Sequence, residues 1–253
     1  MATTTKMKPV MLSSSGVRRL MEQNNRGGSY AFIRTAQAVD ELSRLHDALD
    51  SLHRTPNPSM TKEGRAMKYR TQFNRAMEAG KKSALAAVDA LNTREAEIKR
   101  EAEIKAGLHS HVDAATAQEI RSALRSMTQE DRDRTVREAA QAGDSTIIQA
   151  IRTAASPLLV GHIGVPMESI LAAMVSKSAP ELLQELEDVT TAIDLLNGAV
   201  NAFAREAEAR RDPHLEAMAD AQDAATRAAD ALIDAAAAGT PAPATLPTET
   251  AEG

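Results

Sequence analysis

The stretch PELLQELEDVTTAIDLLNGAVNAF, residues 180–203, indicates the fold class of this chain. Its large apolar side chains recur at alternating steps of four and three residues, the a/d pattern of a helix that packs along another helix. Because proline suits the first turn of a helix, this helix is expected to begin at Pro180. The predicted helix-interface residues are Leu182, Leu186, Val189, Ile193, Leu196, Val200 and Phe203.

Two kinds of partner are open to this heptad seam. A long helix is predicted from Met60 to about Lys105, because that stretch contains no proline. It carries eleven Lys and Arg against seven Asp and Glu. An antiparallel arrangement of this helix and the acidic C-terminal helices within one chain is one alternative. Closure of a homo-oligomer by the seam is the other.

The composition argues for helices and against a shaped catalytic pocket. The 253 residues include three Phe, two Tyr and no Trp, and much of the 43% hydrophobic content is alanine, which buries little apolar area. Ala, Glu, Arg, Leu and Lys are residues that lose little entropy in a helix. An all-α protein that is not an enzyme is therefore predicted.

Cysteine usage and hydropathy bound the environment of the chain. No cysteine is present, which excludes disulfides and thiolate ligands and fits a reducing compartment. No apolar run reaches the roughly 18 residues needed to span a bilayer, so no membrane span is predicted.

The formal net charge of −5 conceals a gradient along the chain. Residues 1–39 contain six Lys and Arg against one Glu, whereas residues 181–253 contain fifteen Asp and Glu against four Arg. Residues 1–28 are interpreted as a flexible basic arm that could contact nucleic acid or an acidic surface. Few aromatic side chains accompany these cations, so a base-stacking site is not expected.

Composition divides the rest of the chain into four parts. Residues 29–106 are predicted to form a helical hairpin whose second helix is long, and residues 107–179 a small domain of short helices. Residues 180–238 hold the heptad helix and an Ala-rich helix, which the Asp212-Pro213 pair separates. Residues 239–253, rich in Pro, Thr and Ala, are predicted to be disordered. Together these parts suggest a stalk or bundle of coiled-coil-like helices with a small inserted domain.

Helix-end signals are dense in the small domain. A capping box beginning at Thr116 predicts one helix start, and Thr128 predicts another. Gly143 is expected to end the second of these helices. Asp144 or Ser145 then caps the next helix.

Three short motifs have the composition of a functional site. His109, His111 and Asp113 are residue types that bind zinc or nickel, but two histidines two apart in a loop are common by chance. Lys81 and Lys82 follow a glycine as in a phosphate-binding loop, yet the earlier glycine of that motif is absent and the segment is helical. Ser59 to Lys62 matches a hydrolase tetrapeptide whose companion motifs are missing. No catalytic, cofactor-binding or metal-binding residue is therefore predicted, and no cofactor.

The middle of the chain resembles a family of uncharacterised helical proteins that tailed bacteriophages and prophages encode among their head and structural genes. The resemblance covers roughly residues 113–196 and consists of residues that begin and end helices. It is carried by Glu119-Ile120-Arg121, Ala142-Gly143-Asp144, the segment from Ile151 to Pro157, and Pro180 at the start of the long helix. The resemblance implies a structural role but supplies no functional residues.

These observations lead to one functional expectation and one alternative. The expectation is a virion component or morphogenesis factor of a tailed phage, in the head, scaffold or head-tail region. It would act by helix-mediated oligomerisation and by contacts with other structural proteins, in the host cytoplasm during assembly or in the virion. The alternative is a nucleic-acid-associated helical protein that binds DNA through its basic N-terminal arm.

Overall fold

A computed structural model describes residues 9–55 and 57–237 of the chain. These residues form nine α-helices and no β-strand, which confirms the predicted all-α class. None of the described helices is long and apolar enough to cross a membrane. The helices are α1 (Ser15–Gln23), α2 (Tyr30–Arg54), α3 (Lys62–Lys105), α4 (Ala114–Ser126), α5 (Gln129–Ala142), α6 (Ser145–Arg152), α7 (Met167–Ser178), α8 (Pro180–Glu208) and α9 (Pro213–Ala237), with 3-10 turns at Val10–Leu12 and Pro157–Leu159.

Helices α2, α3 and α8 pack together as a three-helix bundle. Helix α8 is antiparallel to α3, because Arg94 of α3 bonds to Glu185 near the start of α8, whereas the Tyr69 hydroxyl donates to the Ala207 carbonyl near its end. Phe203 lies in the core between the three helices. The long heptad helix thus packs against two helices of its own chain.

A second core belongs to the small domain. Buried side chains of α4, α5, α6 and α7 form an apolar cluster that is separate from the bundle. Arg132 of α5 is buried and donates hydrogen bonds to the carbonyls of Leu124, Met127 and His162, so it caps the end of α4 and fixes the loop before α7. The central members of the cluster are Leu124, Val136, Ile148, Ile170 and Met174.

Most helix ends in this domain agree with the sequence signals. Thr128 accepts a hydrogen bond from the Asp131 amide, and Gly143 ends α5 in the left-handed region at φ 78°. Asp144 caps α6 through the Thr146 amide. Short polar side chains and glycine determine these ends locally, which is why they could be predicted.

The predicted start at Thr116 is wrong. Helix α4 begins at Ala114, and the Asp113 carboxylate accepts the Thr116 amide at 2.9 Å. Hydrogen bonds from the hydroxyl and the amide of Thr116 lower the pKa of Asp113, so the carboxylate stays ionised at the positive end of the helix. Aspartate supplies both an acceptor and a charge, which explains why the helix is capped by Asp113 and not by Thr116.

The first part of the chain differs from the flexible arm that was predicted over residues 1–28. Leu12 and Val17 are buried, and α1 packs against α2 and α8. Arg18 bonds to Asp40 of α2 at 2.7 Å. Apolar side chains between the cations therefore anchor residues 9–28 to the bundle. Residues 1–8 and the predicted tail, 239–253, lie outside the described residues.

Candidate interaction surfaces

The seven heptad residues face α2 and α3 of the same chain. Leu196 and Phe203 share a buried cluster with side chains of α2 and α3. Val189 belongs to a second cluster with Phe32 and Leu91. Four of the seven are buried, namely Leu182, Val189, Leu196 and Phe203, and three are partly buried, namely Leu186, Ile193 and Val200. The structure therefore places the seam in the core of a single chain.

A network of ion pairs holds the loop before α2 against α8. Arg26 bonds to Asp188 at 3.0 Å and to Glu185 at 3.2 Å. Arg94 of α3 reaches the other oxygen of Glu185 at 2.8 Å, and this hydrogen bond raises the pKa of Arg94. Both carboxylates are buried and each is matched to an arginine. The arginines compensate the buried negative charges, so this arrangement is interpreted as a structural contact between the loop, α3 and α8.

Helix α9 leaves the bundle after its first turns. Ala219 is buried, and Arg70 of α3 holds Asp220 at 2.7 Å. Every residue from Asp220 to Asp234 is exposed. We call residues 220–237 the outer half of α9; after the Arg70–Asp220 ion pair at its start, its residues through Asp234 are exposed.

The outer half of α9 is acidic and ends in an apolar pair. Leu232 and Ile233 are 59% and 65% exposed. Asp230 and Asp234 flank them, one helical turn apart on the same side of the helix. At 3.6 residues per turn, Ile233 lies beside Asp230 and Asp234 on the helix, whereas Leu232 lies on the opposite face. These four residues are called the α9 tip, and the face with Ile233, Asp230 and Asp234 is apolar at one edge and acidic at the other. Such a surface is suited to a groove that is both apolar and basic.

A cleft of about 310 Å³ opens where the α2–α3 connection meets the turn between α8 and α9. Its apolar lining includes Met60, Tyr69 and Leu215. Tyr69 is only 6% exposed, and burial is the largest cause that raises its pKa to about 12. Polar and basic side chains complete the lining, and we call this site the basic cleft. Its lining residues are Leu52, His53, Thr55, Asn57, Met60, Lys62, Arg65, Ala66, Lys68, Tyr69, Arg210, Asp212 and Leu215.

Three cations of the basic cleft lack an acidic partner in the part of the chain that the structure describes. Arg210 is neutralised by Asp50 at 3.1 Å, but no carboxylate there forms an ion pair with Lys62, Arg65 or Lys68. All three lie in the first two turns of α3, whose N-terminus adds a partial positive charge. The lining therefore carries four cationic side chains against one carboxylate, that of Asp212.

The other motifs singled out in the sequence have local roles. His109 pairs with Glu103 at 3.0 Å, and Asp113 caps α4. Among the described residues no group of three His, Cys, Asp or Glu side chains is arranged to hold a metal ion. Lys81 and Lys82 are exposed on α3, far from any loop. The structure does not bring these motifs together.

Comparison with known proteins identifies no relative: no family model, curated protein or solved structure matches this chain.

The basic cleft is a feature that sequence reasoning missed. Its residues come from three separated segments, around positions 52–57, 60–69 and 210–215. The one local signal was the run of cations at the start of α3, where helices ordinarily favour acids.

Proposed function

We propose that this protein is a non-enzymatic structural or assembly protein that acts through helix-mediated contacts. The observation that carries this proposal is the outer half of α9, which extends away from the bundle with its apolar pair exposed. The resemblance to phage proteins adds the setting: a virion component or morphogenesis factor of a tailed phage, in the host cytoplasm during assembly or in the particle.

A helix with few tertiary contacts is costly to keep folded. A stretch as long as the outer half of α9 is only marginally stable as an isolated helix in water, even when it is rich in alanine. Two large aliphatic side chains at its end gain nothing from exposure, whereas burial of each in a partner's groove is worth roughly 1.5–3 kcal/mol. Helix-in-groove contacts therefore suit the outer half of α9.

The ion pairs of the chain support a structural role in preference to DNA binding by the arm. Arg18 and Arg26 are two of the arm's cations, and both are bonded to carboxylates of the bundle. A cation that is already paired releases fewer counterions from DNA. Binding of DNA through residues 1–28 is accordingly the less well supported proposal.

The mass of the protein in solution tests the assembly proposal. The full chain is expected to show a molar mass above that of a monomer by light scattering, and to dissociate on dilution. A chain that ends at Asp220 keeps the Arg70 ion pair but lacks the outer half of α9, and it is expected to be monomeric. The matched control ends at Ala237 and is expected to associate like the full chain. A full chain that stays monomeric at every concentration would contradict the proposal.

The phage setting has an independent test in the genes beside the one that encodes this protein. Portal, terminase or capsid genes are the expected neighbours. A metabolic operon would contradict the phage setting and leave the assembly proposal to the mass measurement.

A further inference from the structure

We infer that the basic cleft of one copy receives the α9 tip of a second copy, so that the chains associate head to tail. This inference rests on the proposed assembly function and names its partner and its site. The two surfaces lie on the same chain, at the two ends of α9. The basic cleft is positively charged and the α9 tip is negatively charged, and both have apolar groups.

The basic cleft has positive charges that an anionic ligand could pair with. Lys62, Arg65 and Lys68 lie close together at the positive end of α3 without a carboxylate partner among the described residues. Asp212, which also lines the cleft, is engaged in capping α9, because its carboxylate accepts the Leu215 amide at 3.1 Å. Positive charge held together in this way favours a ligand with at least two negative groups.

The basic cleft also has room and apolar lining for an apolar side chain. Its volume of about 310 Å³ is roughly twice that of an engineered apolar cavity that holds one benzene molecule. Leu52, Met60 and Leu215 are only partly buried along its lining. A branched aliphatic side chain fits within that space and matches that chemistry.

The α9 tip has both properties. On one face Ile233 supplies an apolar group beside the negative charges of Asp230 and Asp234, and Leu232 adds an apolar group on the opposite face. The outer half of α9 carries four aspartates and one arginine, so its potential is opposite in sign to that of the cleft. The two surfaces are complementary in charge and in polarity.

The length of α9 excludes occupation by the same chain. Leu215, in the first turn of α9, lines the cleft, and Leu232 follows seventeen residues later in the same continuous helix. At 1.5 Å per residue the tip is about 26 Å from its own cleft. A straight helix cannot return that distance, so the occupant is a second copy. The contact joins two different surfaces and generates a ring or an open chain of copies.

The cleft offers little to nucleic acid by comparison. Tyr69 lines the cleft but is 6% exposed and donates its hydroxyl to the Ala207 carbonyl. The exposed His53 ring packs edge-on against it, with 6.1 Å between the ring centroids. One small aromatic ring is thus open in the lining, which is a weak platform for base stacking. The apolar lining favours the acidic, aliphatic helix.

Two variants that are each defective in one surface provide the test. The cleft variant carries Lys62→Glu, Arg65→Glu and Lys68→Glu, and the tip variant carries Leu232→Asp and Ile233→Asp. Each variant alone is expected to be monomeric by light scattering, with a dissociation constant at least tenfold weaker than that of the unmodified chain. Their mixture is expected to form a one-to-one dimer that grows no further, because only one functional cleft and one functional tip remain.

A matched charge control separates the site from general electrostatics. Arg75→Glu, Lys81→Glu and Lys82→Glu change the charge of α3 equally, but at exposed positions outside the cleft. This control is expected to associate like the unmodified chain, and circular dichroism should show the same helicity for all variants. Association should weaken in high salt, because the contact is partly ionic.

Three results would overturn the inference. If the cleft variant associates as strongly as the unmodified chain while truncation after Asp220 abolishes association, α9 pairs with a different surface; the assembly function then stands and this inference falls. A mixture of the two variants that remains monomeric also contradicts it. So does tight binding of a labelled DNA duplex, measured by fluorescence anisotropy, that the cleft variant loses and the tip variant keeps.

Discussion

Gly80 of α3 packs against Leu42 of α2. A Cβ atom at this position would lie 2.8 Å from Cδ2 of Leu42, a side chain that is itself buried, and 3.5 Å from Cε1 of Phe203. The sequence marks this glycine only as a weak point in a helix. The packed structure shows instead that the missing side chain is what allows the two helices to meet.

Replacement of Gly80 by alanine is expected to lower the free energy of unfolding by about 1 kcal/mol. The gain in helix propensity, about 1 kcal/mol, is smaller than the cost of overpacking, which is typically 1–3 kcal/mol. Gly198→Ala is the matched control, because its Cβ would lie 3.6 Å from Met11 Sδ, an ordinary contact. Urea unfolding should show the control to be as stable as the parent or more so. Equal gains in both variants would mean that α2 and α3 are not in close contact at Gly80.

Helix α8 is the element whose existence the sequence indicated most directly. Its start at Pro180 and its apolar pattern both follow from local chemistry, and the structure has the helix there. The pattern requires a partner helix without specifying which one. In the structure α8 packs against two helices, since Leu196 lies in the core that α2 and α3 form with it.

Val189→Asp tests whether the seam is the core of one chain. Val189 is 1% exposed, so an aspartate there is buried without a partner and is expected to cost about 3 kcal/mol or more of unfolding free energy. Leu232→Asp makes a similar change on the exposed part of α9 and, at a concentration where the chain is monomeric, should leave stability within about 0.5 kcal/mol. Denaturant unfolding followed by circular dichroism measures both. A Val189→Asp chain that remains equally stable but changes its molar mass would place the seam between chains instead.

At the scale of the whole molecule, the small domain is an insertion between two helices of the bundle. Lys105 at the end of α3 forms an ion pair with Glu181 at the start of α8, so the two ends of the insertion lie side by side. The small domain has its own apolar core, and α7 is the described helix that joins it to the bundle through contacts with α3 and α8. Each part therefore has an apolar cluster of its own.

Excision of residues 107–178, with a short Gly and Ser linker in their place, is expected to leave the bundle folded. The linker has only a short gap to close, and loop closure over a few residues costs little. Circular dichroism and cooperative urea unfolding should report a folded helical protein, and light scattering should report the same association as in the full chain. Loss of cooperative unfolding would show that the small domain is required for the bundle to form.

Local chemistry explains which features were predictable from the sequence alone. The all-α class, the start of α8, the break between α8 and α9, and the caps at Thr128 and Gly143 each depend on residues within one or two turns of each other. The cap of α6 was narrowed in the same way to Asp144 or Ser145, and the structure has Asp144. Thr116 was misassigned because Asp113 competes for the same helix start, and the stronger acceptor is used. The predicted freedom of residues 9–28 failed because Leu12 and Val17 are buried against distant helices.

Only the tertiary structure decided where the surfaces of the molecule lie. The basic cleft joins residues more than 140 positions apart, such as Arg65 and Arg210, and no local pattern connects them. Likewise, the heptad seam and α9 are both amphipathic in sequence, yet the bundle covers the seam and leaves the outer half of α9 exposed. Amphipathicity requires only that an apolar face be buried; which face finds a partner within the chain depends on the packing of all the helices together.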